Sequence, residues 1–311
     1  MDYISLFSGI GGFELGIQKS KYKDQLNCIG FSEVDESAIG IYRRHFPNHR
    51  WLGDVREIRT EELPRFELLV GGFPCQSFSN SGNKQGFADT RGTLFFEIAR
   101  ILQDCRPQYF LLENVQGLLW NKGGETMQTI IRILTEMGYN IEYEIFDSRF
   151  FGVPQRRERL FIKGYLGKRC EFKFPTIRRY SEPTKDLNDN HLKIKTDTSK
   201  GYKEANIGDG VRISRLNQKN GGRGRVQSDS VGTLMCSCNW GVVTPDLEIR
   251  KLTPLEYERL QGFDDGWIQY GVNGEVISDS QRYKCVGNAV TVPVIQHIFD
   301  NWDLKVGDNS E

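Results

Sequence analysis

The first half of the 311-residue chain alternates short apolar runs with segments of helical periodicity, and this alternation constrains the fold more than any other feature. Strands are predicted at Tyr3–Phe7, Cys28–Glu33, Leu68–Gly71 and Tyr109–Glu113, and helices from about Gly12, at Glu36–Phe46, at Thr93–Gln103 and near Glu125–Met137. Strands that are separated by helices favour a parallel sheet. We therefore predict an α/β fold for this half.

The pattern changes twice further along the chain. Ile141–Ser148 and Arg159–Lys163 are predicted strands that can close the sheet as an antiparallel edge. Residues 171–250 are polar, glycine-rich and weakly periodic, which is typical of a small, loop-rich second domain. Helical periodicity returns at Thr253–Gln261 and Val292–Trp302, and we expect these helices to pack back on the first domain.

The net charge is zero, but basic residues concentrate in one region. Residues 151–230 contain 19 Lys and Arg against 9 Asp and Glu, and much of this stretch lies in the loop-rich part. Such an excess in loops suits a polyanion, which favours nucleic acid as a partner. A solvated basic face is the alternative.

Other features of the composition constrain the cellular location, the state of the cysteines and the presence of a metal site. No apolar stretch approaches the roughly 20 residues of a membrane span, and no basic stretch followed by an apolar segment begins the chain, so a cytoplasmic protein is expected. Seven cysteines, an odd number, do not indicate a disulfide framework, and reduced thiols are expected. Cys236 and Cys238 form only a C-x-C pair without a second Cys or His cluster, so no metal site is predicted.

The run from Phe66 to Ser79 ends an apolar strand in a cysteine, Cys75. Two glycines and a proline before it force an irregular turn and small polar residues follow, so the thiol is predicted at the carboxyl end of a strand beside a flexible loop. Open α/β sheets place their ligands at this edge. A buried, inert thiol is the alternative.

A glycine-rich turn, Phe7-Ser8-Gly9-Ile10-Gly11-Gly12, leads from the first strand into a helix. It lacks the complete G-x-G-x-x-G of a dinucleotide site, and a purely structural turn is the alternative. Glu33 ends the second strand, where a carboxylate can accept both hydroxyls of a ribose, and Asp54 follows at the same edge. These positions favour an adenosine-bearing cofactor, and the missing pyrophosphate signature favours S-adenosylmethionine over NAD.

Three further clusters carry residues suited to chemistry. Glu113 ends the strand that follows the Cys75 strand, and it is adjacent to that thiol if the two strands are neighbours. Arg157 and Arg159 lie two residues apart on one face of an extended segment. Lys284–Val290 is predicted to be a Gly-Asn turn that opens the last helix. Singly, each also fits a salt bridge, a surface charge or a helix cap; jointly, they indicate one site.

These motifs, taken in order, resemble those of the DNA (cytosine-5)-methyltransferase family of bacterial type II restriction-modification systems. The matching runs are F-x-G-x-G-G (Phe7 to Gly12), G-F-P-C-Q-x-F-S (Gly72 to Ser79), R-G-T-L-F-F (Arg91 to Phe96), E-N-V (Glu113 to Val115), G-V-P-Q-R-R-E-R (Gly152 to Arg159), T-P-x-E-x-x-R-L-Q-G-F (Thr253 to Phe263) and G-N-A-V (Gly287 to Val290). The resemblance implies a Rossmann-like S-adenosylmethionine-dependent methyltransferase domain at residues 1–165 plus 252–303. Residues 166–251 would form a smaller, loop-rich target-recognition domain.

The chemistry of cytosine explains why the family needs these catalytic residue types. Carbon 5 is a poor nucleophile, so a thiolate must first add across the 5,6 double bond, and Cys75 is the expected nucleophile. Glu113 is expected to meet N3 as a protonated or proton-sharing carboxyl and Arg159 to meet O2, with Arg157 in support. The resemblance and this chemistry both imply that the target cytosine is flipped out of the duplex.

The resemblance also carries over the cofactor residues. These are Phe7, Gly9, Gly11, Gly12, Glu33, Val34, Asp54, Leu94, Asn288 and Val290. One position departs, because family members often have an aromatic residue where this chain has Val34. Adenine stacking there would give way to weaker aliphatic contact.

The expected DNA contacts lie in two regions. The residues are Gln76, Ser79, Ser81, Lys84, Arg223, Arg225 and Thr233. Ser79 to Gly92 is expected to close as a lid over the flipped base. Arg225 is expected to read a guanine and Arg223 to fill the hole left by the flipped base, although both could instead contact phosphate.

Double-stranded DNA is the expected partner, with a cognate restriction endonuclease acting on the same site without direct contact. We expect a monomer associated with the nucleoid. A tRNA cytosine-5 methyltransferase is one alternative, disfavoured by the basic region and by the absence of a Cys-Phe-Thr motif. An inactive DNA-binding module is the other, disfavoured by retention of Cys75, Glu113, Arg157 and Arg159.

Overall fold

The computed structural model describes residues 1–74, 94–167, 174, 191–196, 198–213 and 224–305. The strands are β1 Asp2–Leu6, β2 Asn27–Ser32, β3 Leu68–Gly72, β4 Tyr109–Val115, β5 Tyr139–Asp147, β6 Gln155–Arg156, β7 Glu158–Leu166, β8 Leu192–Lys195, β9 Tyr202–Ala205, β10 Gly210–Arg212, β11 Val226–Gln227, β12 Val231–Gly232, β13 Trp240–Val243 and β14 Ile249–Lys251. The α-helices are α1 Gly12–Gln18, α2 Glu36–His45, α3 Leu94–Cys105, α4 Glu125–Glu136, α5 Pro254–Gln261, α6 Asp279–Asn288 and α7 Val292–Asp300.

A six-stranded sheet in the order β2-β1-β3-β4-β7-β5 forms the centre of the fold. Neighbouring strands from β2 to β4 run parallel, whereas β7 is antiparallel to β4 and β5 is antiparallel to β7. The predicted α/β fold with an antiparallel edge is therefore confirmed. The register aligns Gly72 of β3 with Glu113 of β4, so Gly72, three residues before Cys75 in the sequence, lies beside the Glu113 carboxyl.

Alternating side chains of the central strands enter two different cores, as expected of a sheet covered on both faces. Leu69 and Leu112 face the core formed with α3 and α4. Leu68 and Leu111 face the core formed with α1 and α7. At Gly16 of α1 a Cβ atom would come within 2.5 Å of Ile295, so the C-terminal helix packs tightly on the N-terminal one.

The later part of the chain forms smaller sheets. Four short strands have the order β11-β10-β13-β14, β8 pairs with β9, and β12 pairs in parallel with β6. The β6–β12 pair attaches this loop-rich part to the segment that carries Arg157.

The sequence prediction for the Gly287-Asn288 pair was wrong. The two residues form the last turn of α6, a helix that we did not predict, and the last helix begins only at Val292. Asp279–Asn288 is mostly polar and lacks a clear apolar stripe, so hydrophobic periodicity gives no signal for it. Gly287 is required for packing, since a Cβ there would lie 2.5 Å from the Met235 carbonyl.

The buried carboxyl of Glu14 gives the fold a pH dependence. Burial in α1, beside Ser5 and Tyr42, raises the pKa of Glu14 to about 7. The unfolded chain loses this proton near its ordinary value of 4.5, so between about pH 4.5 and 7 only the native state retains it. Stability should therefore fall as the pH rises through this window, by on the order of 3 kcal/mol.

Glu14→Gln should remove that decline, because the amide does not titrate. Urea unfolding at about pH 5 and about pH 8 measures it, with the exposed Glu36→Gln as control. Equal declines in Glu14→Gln and in the parent chain would contradict the assignment.

Among the helices in the described ranges, none is long and apolar enough to cross a membrane.

Candidate active site

A cavity of about 520 Å³ opens at the carboxyl edge of the parallel strands. Its volume falls within the usual range for small-molecule sites. The described residues that line it are Phe7, Gly9, Ser32, Glu33, Val34, Asp54, Val55, Arg56, Gly72, Phe73, Pro74, Leu94, Glu113, Asn114, Val115, Arg157, Arg159, Gly287 and Asn288. The structure thus brings residues from several distant motifs to a single cavity.

An ion pair between Glu113 and Arg159 lies at one end of this cavity. Arg159 Nε lies 3.0 Å from Glu113 Oε1, and both side chains are largely buried. Burial raises the pKa of Glu113 above its ordinary value, although the charges of Arg159 and Arg157 oppose this. Burial lowers the pKa of Arg159, because it disfavours the charged guanidinium, and the negative charge of Glu113 opposes this effect. The pair therefore combines a carboxyl whose pKa is raised by burial with a guanidinium held against it.

The guanidinium of Arg157 binds backbone carbonyls. Nη1 donates to Gly287 O at 3.1 Å and to Leu234 O at 3.5 Å, and Nη2 donates to Ala289 O at 2.8 Å. Burial, with the nearby Arg159 charge, lowers the pKa of Arg157. Arg157 thus holds together three segments around the cavity.

Asn114 joins the ends of two neighbouring strands. Its Nδ2 donates to Phe73 O at 2.9 Å, which ties the end of β3 to the end of β4. At Gly72 a Cβ would lie 3.3 Å from Glu113 Oε2, so a small residue keeps the carboxyl accessible. The sequence motifs contain both residues, Asn114 in E-N-V and Gly72 in G-F-P-C, but do not reveal these contacts.

Backbone N–H groups hold the carboxylate of Glu33 at the other end of the cavity. Oε2 accepts from Gly9 N at 2.8 Å, and Oε1 accepts from Val34 N at 2.8 Å and Asp35 N at 2.9 Å. Each carboxylate oxygen can accept about two hydrogen bonds, so Oε2 retains capacity for a ligand. The adjacent Val34 side chain is 63% exposed.

The carboxylate of Asp54 is less available to bind a cofactor than the sequence indicated, because it is already paired with Arg56. Arg56 donates to both of its oxygens, an interaction that lowers the pKa of Asp54. The sequence prediction missed Arg56 and Val55, which both line the cavity.

Three of the predicted cofactor residues, Gly11, Gly12 and Val290, are not among the described residues that line the cavity. A Cβ at Gly11 would lie 2.4 Å from the Phe46 ring, and one at Gly12 would lie 2.7 Å from Val290. Val290 itself is buried in the core. Close packing therefore explains why glycine occupies positions 11 and 12. The other predicted cofactor residues line the cavity: Phe7, Gly9, Glu33, Val34, Asp54, Leu94 and Asn288.

The predicted DNA contacts are only partly described. Arg225 is exposed, and its carbonyl accepts from Arg212 N at 2.8 Å. Thr233 Oγ1 donates to Arg156 O at 3.0 Å. Cys75, Gln76, Ser79, Ser81, Lys84 and Arg223 lie outside the described residues.

Comparison with known proteins identifies the family to which the chain is similar. The family model for C-5 cytosine-specific DNA methylases matches residues 1–303. The type II methyltransferase M.NlaX of Neisseria lactamica is 36% identical over 308 positions, covering 96% of this chain and 94% of the relative. M1.ScrFI of Lactococcus lactis subsp. cremoris, also a type II methyltransferase, is 36% identical over 323 positions, covering 99% of this chain and 79% of the relative. The solved structure of the Entamoeba histolytica methyltransferase EhMeth has the same fold, with a TM-score of 0.63, 18% identity and 97% coverage of each chain.

Proposed function

The chain belongs to the C-5 cytosine-specific DNA methylase family and is a DNA cytosine-5 methyltransferase, and from this premise we propose how it acts. It transfers a methyl group from S-adenosylmethionine to a cytosine that is flipped out of a short, specific DNA site, through a covalent bond between Cys75 and C6. The observation that carries this proposal is the buried Glu113–Arg159 pair beside the segment that leads to Cys75.

The lining of the cavity fits S-adenosylmethionine. Glu33 and Asp54 suit a cationic adenosine-bearing ligand, and Gly9 leaves open space, since a Cβ there would meet nothing within 4 Å. Phe7, Glu33, Asp54, Leu94 and Asn288 would hold the cofactor, which when bound supplies an electrophilic methyl group.

The protein's own residues activate the cytosine. The Cys75 thiolate adds to C6, and the electrons of the 5,6 double bond shift toward N3 and O2. Glu113 holds a proton at N3 and Arg159 donates to O2, which stabilises the developing negative charge and makes C5 nucleophilic. Once C5 carries the methyl group that the bound cofactor would supply, it loses its proton to water. The S–C6 bond then breaks, which restores the 5,6 double bond and the Cys75 thiolate.

Recognition of the DNA target sequence is assigned to residues 166–251, and catalysis to residues 1–165 plus 252–303. The separate four-stranded sheet and the packing of α7 against α1 support this division. Arg225, exposed in the first of these regions, is the candidate for reading a guanine. The named type II relatives support a role beside a restriction endonuclease that acts on the same site, and the chain is proposed to act as a monomer.

Incubation of the purified chain with methyl-labelled S-adenosylmethionine tests the function. Label should appear at cytosine C5 in a library of DNA duplexes. Label in tRNA alone would support the tRNA alternative, and DNA binding without product would support an inactive module.

Glu33→Gln should weaken cofactor binding about 10- to 100-fold, because a neutral amide loses charge-assisted hydrogen bonds with the Gly9, Val34 and Asp35 amides and with the ligand. Calorimetric titration with S-adenosylhomocysteine measures the change. The exposed Glu36→Gln is the matched control and should bind like the parent chain. Binding by Glu33→Gln within about twofold of that control would contradict the assignment.

A further inference from the structure

The buried amide of Gln155 joins parts of the chain that are far apart in sequence. Its Oε1 accepts from Leu234 N at 3.1 Å, and its Nε2 donates to Leu260 O at 2.9 Å and to Gln261 Oε1 at 3.1 Å. The side chain is fully buried. Rotation of such an amide would leave buried polar groups unpaired, so its orientation is strongly fixed.

The contact with Leu234 belongs to a larger attachment between residues 231–235 and the segment around Gln155. β12 pairs with β6, Val231 N donates to Pro154 O at 2.9 Å, and Thr233 Oγ1 donates to Arg156 O at 3.0 Å. Residues 231–235 follow closely after Arg225, the candidate base-reading residue. This attachment therefore helps to hold the recognition region against the segment around Gln155.

The same attachment reaches the catalytic end of the cavity. Leu234 contacts Gln155 through its N–H and Arg157 through its carbonyl. Two residues beyond Arg157, Arg159 forms the ion pair with Glu113. A shift of Leu234 would therefore displace Arg157 directly and Arg159 through the short segment between them.

Gln261 extends the network to the cofactor side. Its Nε2 donates to Val286 O and Ala289 O, both at 3.1 Å, and its Oε1 accepts from Thr291 Oγ1 at 2.7 Å. These contacts fix the junction between α6 and α7, where Asn288 lines the cavity.

We propose that Gln155 is a positioning residue that sets the register between the recognition region and the Glu113–Arg159 pair. This inference rests on the proposed function. Cognate DNA seated on residues 166–251 is then aligned with a cavity that is already in productive geometry. A misplacement of about 1 Å at reacting groups can cost about 100-fold in rate, so loss of this register should affect chemistry more than binding.

Gln155→Met tests the proposal, because it keeps the side-chain volume and removes the three hydrogen bonds. We expect kcat to fall about 10- to 100-fold and the preference for the cognate site over a site with one altered base pair to fall about tenfold. The dissociation constant for S-adenosylhomocysteine should stay within about twofold of the parent value.

Tyr139→Phe is the control, since it removes a buried hydrogen bond to Pro107 O (2.8 Å) away from the cavity. It should lower the unfolding temperature without changing site preference. A Gln155→Met enzyme that matches Tyr139→Phe in kcat and in site preference would overturn the proposal. Absence of DNA methylation by the parent chain would instead contradict the proposed function.

Hydrogen exchange on the parent chain decides the question if Gln155→Met does not fold. Cognate DNA should slow amide exchange in residues 231–235 and 155–159 together, because the two segments are held as one unit. Slowing confined to residues 231–235 would overturn the proposal.

Discussion

Cys75→Ala should reduce methyl transfer by about 10⁴-fold or more, because the variant lacks the proposed nucleophile that makes C5 of cytosine reactive by adding to C6. Binding of S-adenosylhomocysteine should persist, since the substitution leaves the residues described as lining the cofactor end of the cavity unchanged. The parent chain should also form a stable covalent complex with DNA that carries 5-fluorocytosine at the target. When S-adenosylmethionine is present, methyl transfer leaves the fluorine on C5. It cannot leave as a proton does, so elimination cannot break the S–C6 bond. Denaturing gel electrophoresis detects this complex.

Cys105→Ala is the matched control, because this half-buried thiol lies at the end of α3. It should retain activity and still form the covalent complex. A covalent complex with Cys75→Ala, or comparable activity in the two alanine variants, would contradict nucleophilic catalysis by Cys75.

Glu113→Gln should lower kcat about 10²- to 10⁴-fold, because an amide cannot hold and release a proton at N3 of the cytosine. Burial raises the pKa of Glu113, so the protonated carboxyl is present at pH values below that raised pKa and is lost as the pH rises through it. The parent chain should therefore lose activity on the alkaline side of its profile, and Glu113→Gln should lack this decline. Single-turnover rates across the pH range measure both effects.

Glu158→Gln provides the control for this second prediction. Glu158 is a neighbouring carboxylate on β7 whose partner is the exposed Arg156, at 3.3 Å. Its replacement should leave kcat and the pH profile nearly unchanged. A Glu113→Gln enzyme with the parent pH profile would contradict the proposed role in proton sharing.

Local sequence patterns were sufficient for the central sheet. Apolar runs separated by amphipathic helices predicted its strands, and the paired runs after α4 predicted its antiparallel edge. Gly71 and Gly72, from which we predicted an irregular turn before Cys75, instead continue β3, and the pairing of β3 with β4 places Glu113 beside Gly72. Hydrophobic periodicity is a short-range signal, so the sequence alone captures the strands.

Contacts between distant segments were beyond the reach of local patterns. The buried bonds of Gln155 join β6 to Leu234 and to the end of α5, and glutamine has no pattern that marks it as buried. The polar helix α6 lacked periodicity, and its Gly287 is explained only by the Met235 backbone against it. For the same reason the motifs could indicate Arg157 but not that its donors bind backbone carbonyls.

Mapping of 5-methylcytosine in a bacterial host that otherwise lacks DNA methylation tests the central claim most directly. The host would express the parent chain or Cys75→Ala, and enzymatic or bisulfite conversion would locate the modified bases. The proposed mechanism predicts one recurrent short motif methylated at a fixed cytosine by the parent chain and unmethylated DNA with Cys75→Ala. Unmethylated DNA with a folded, cofactor-binding parent chain would contradict it.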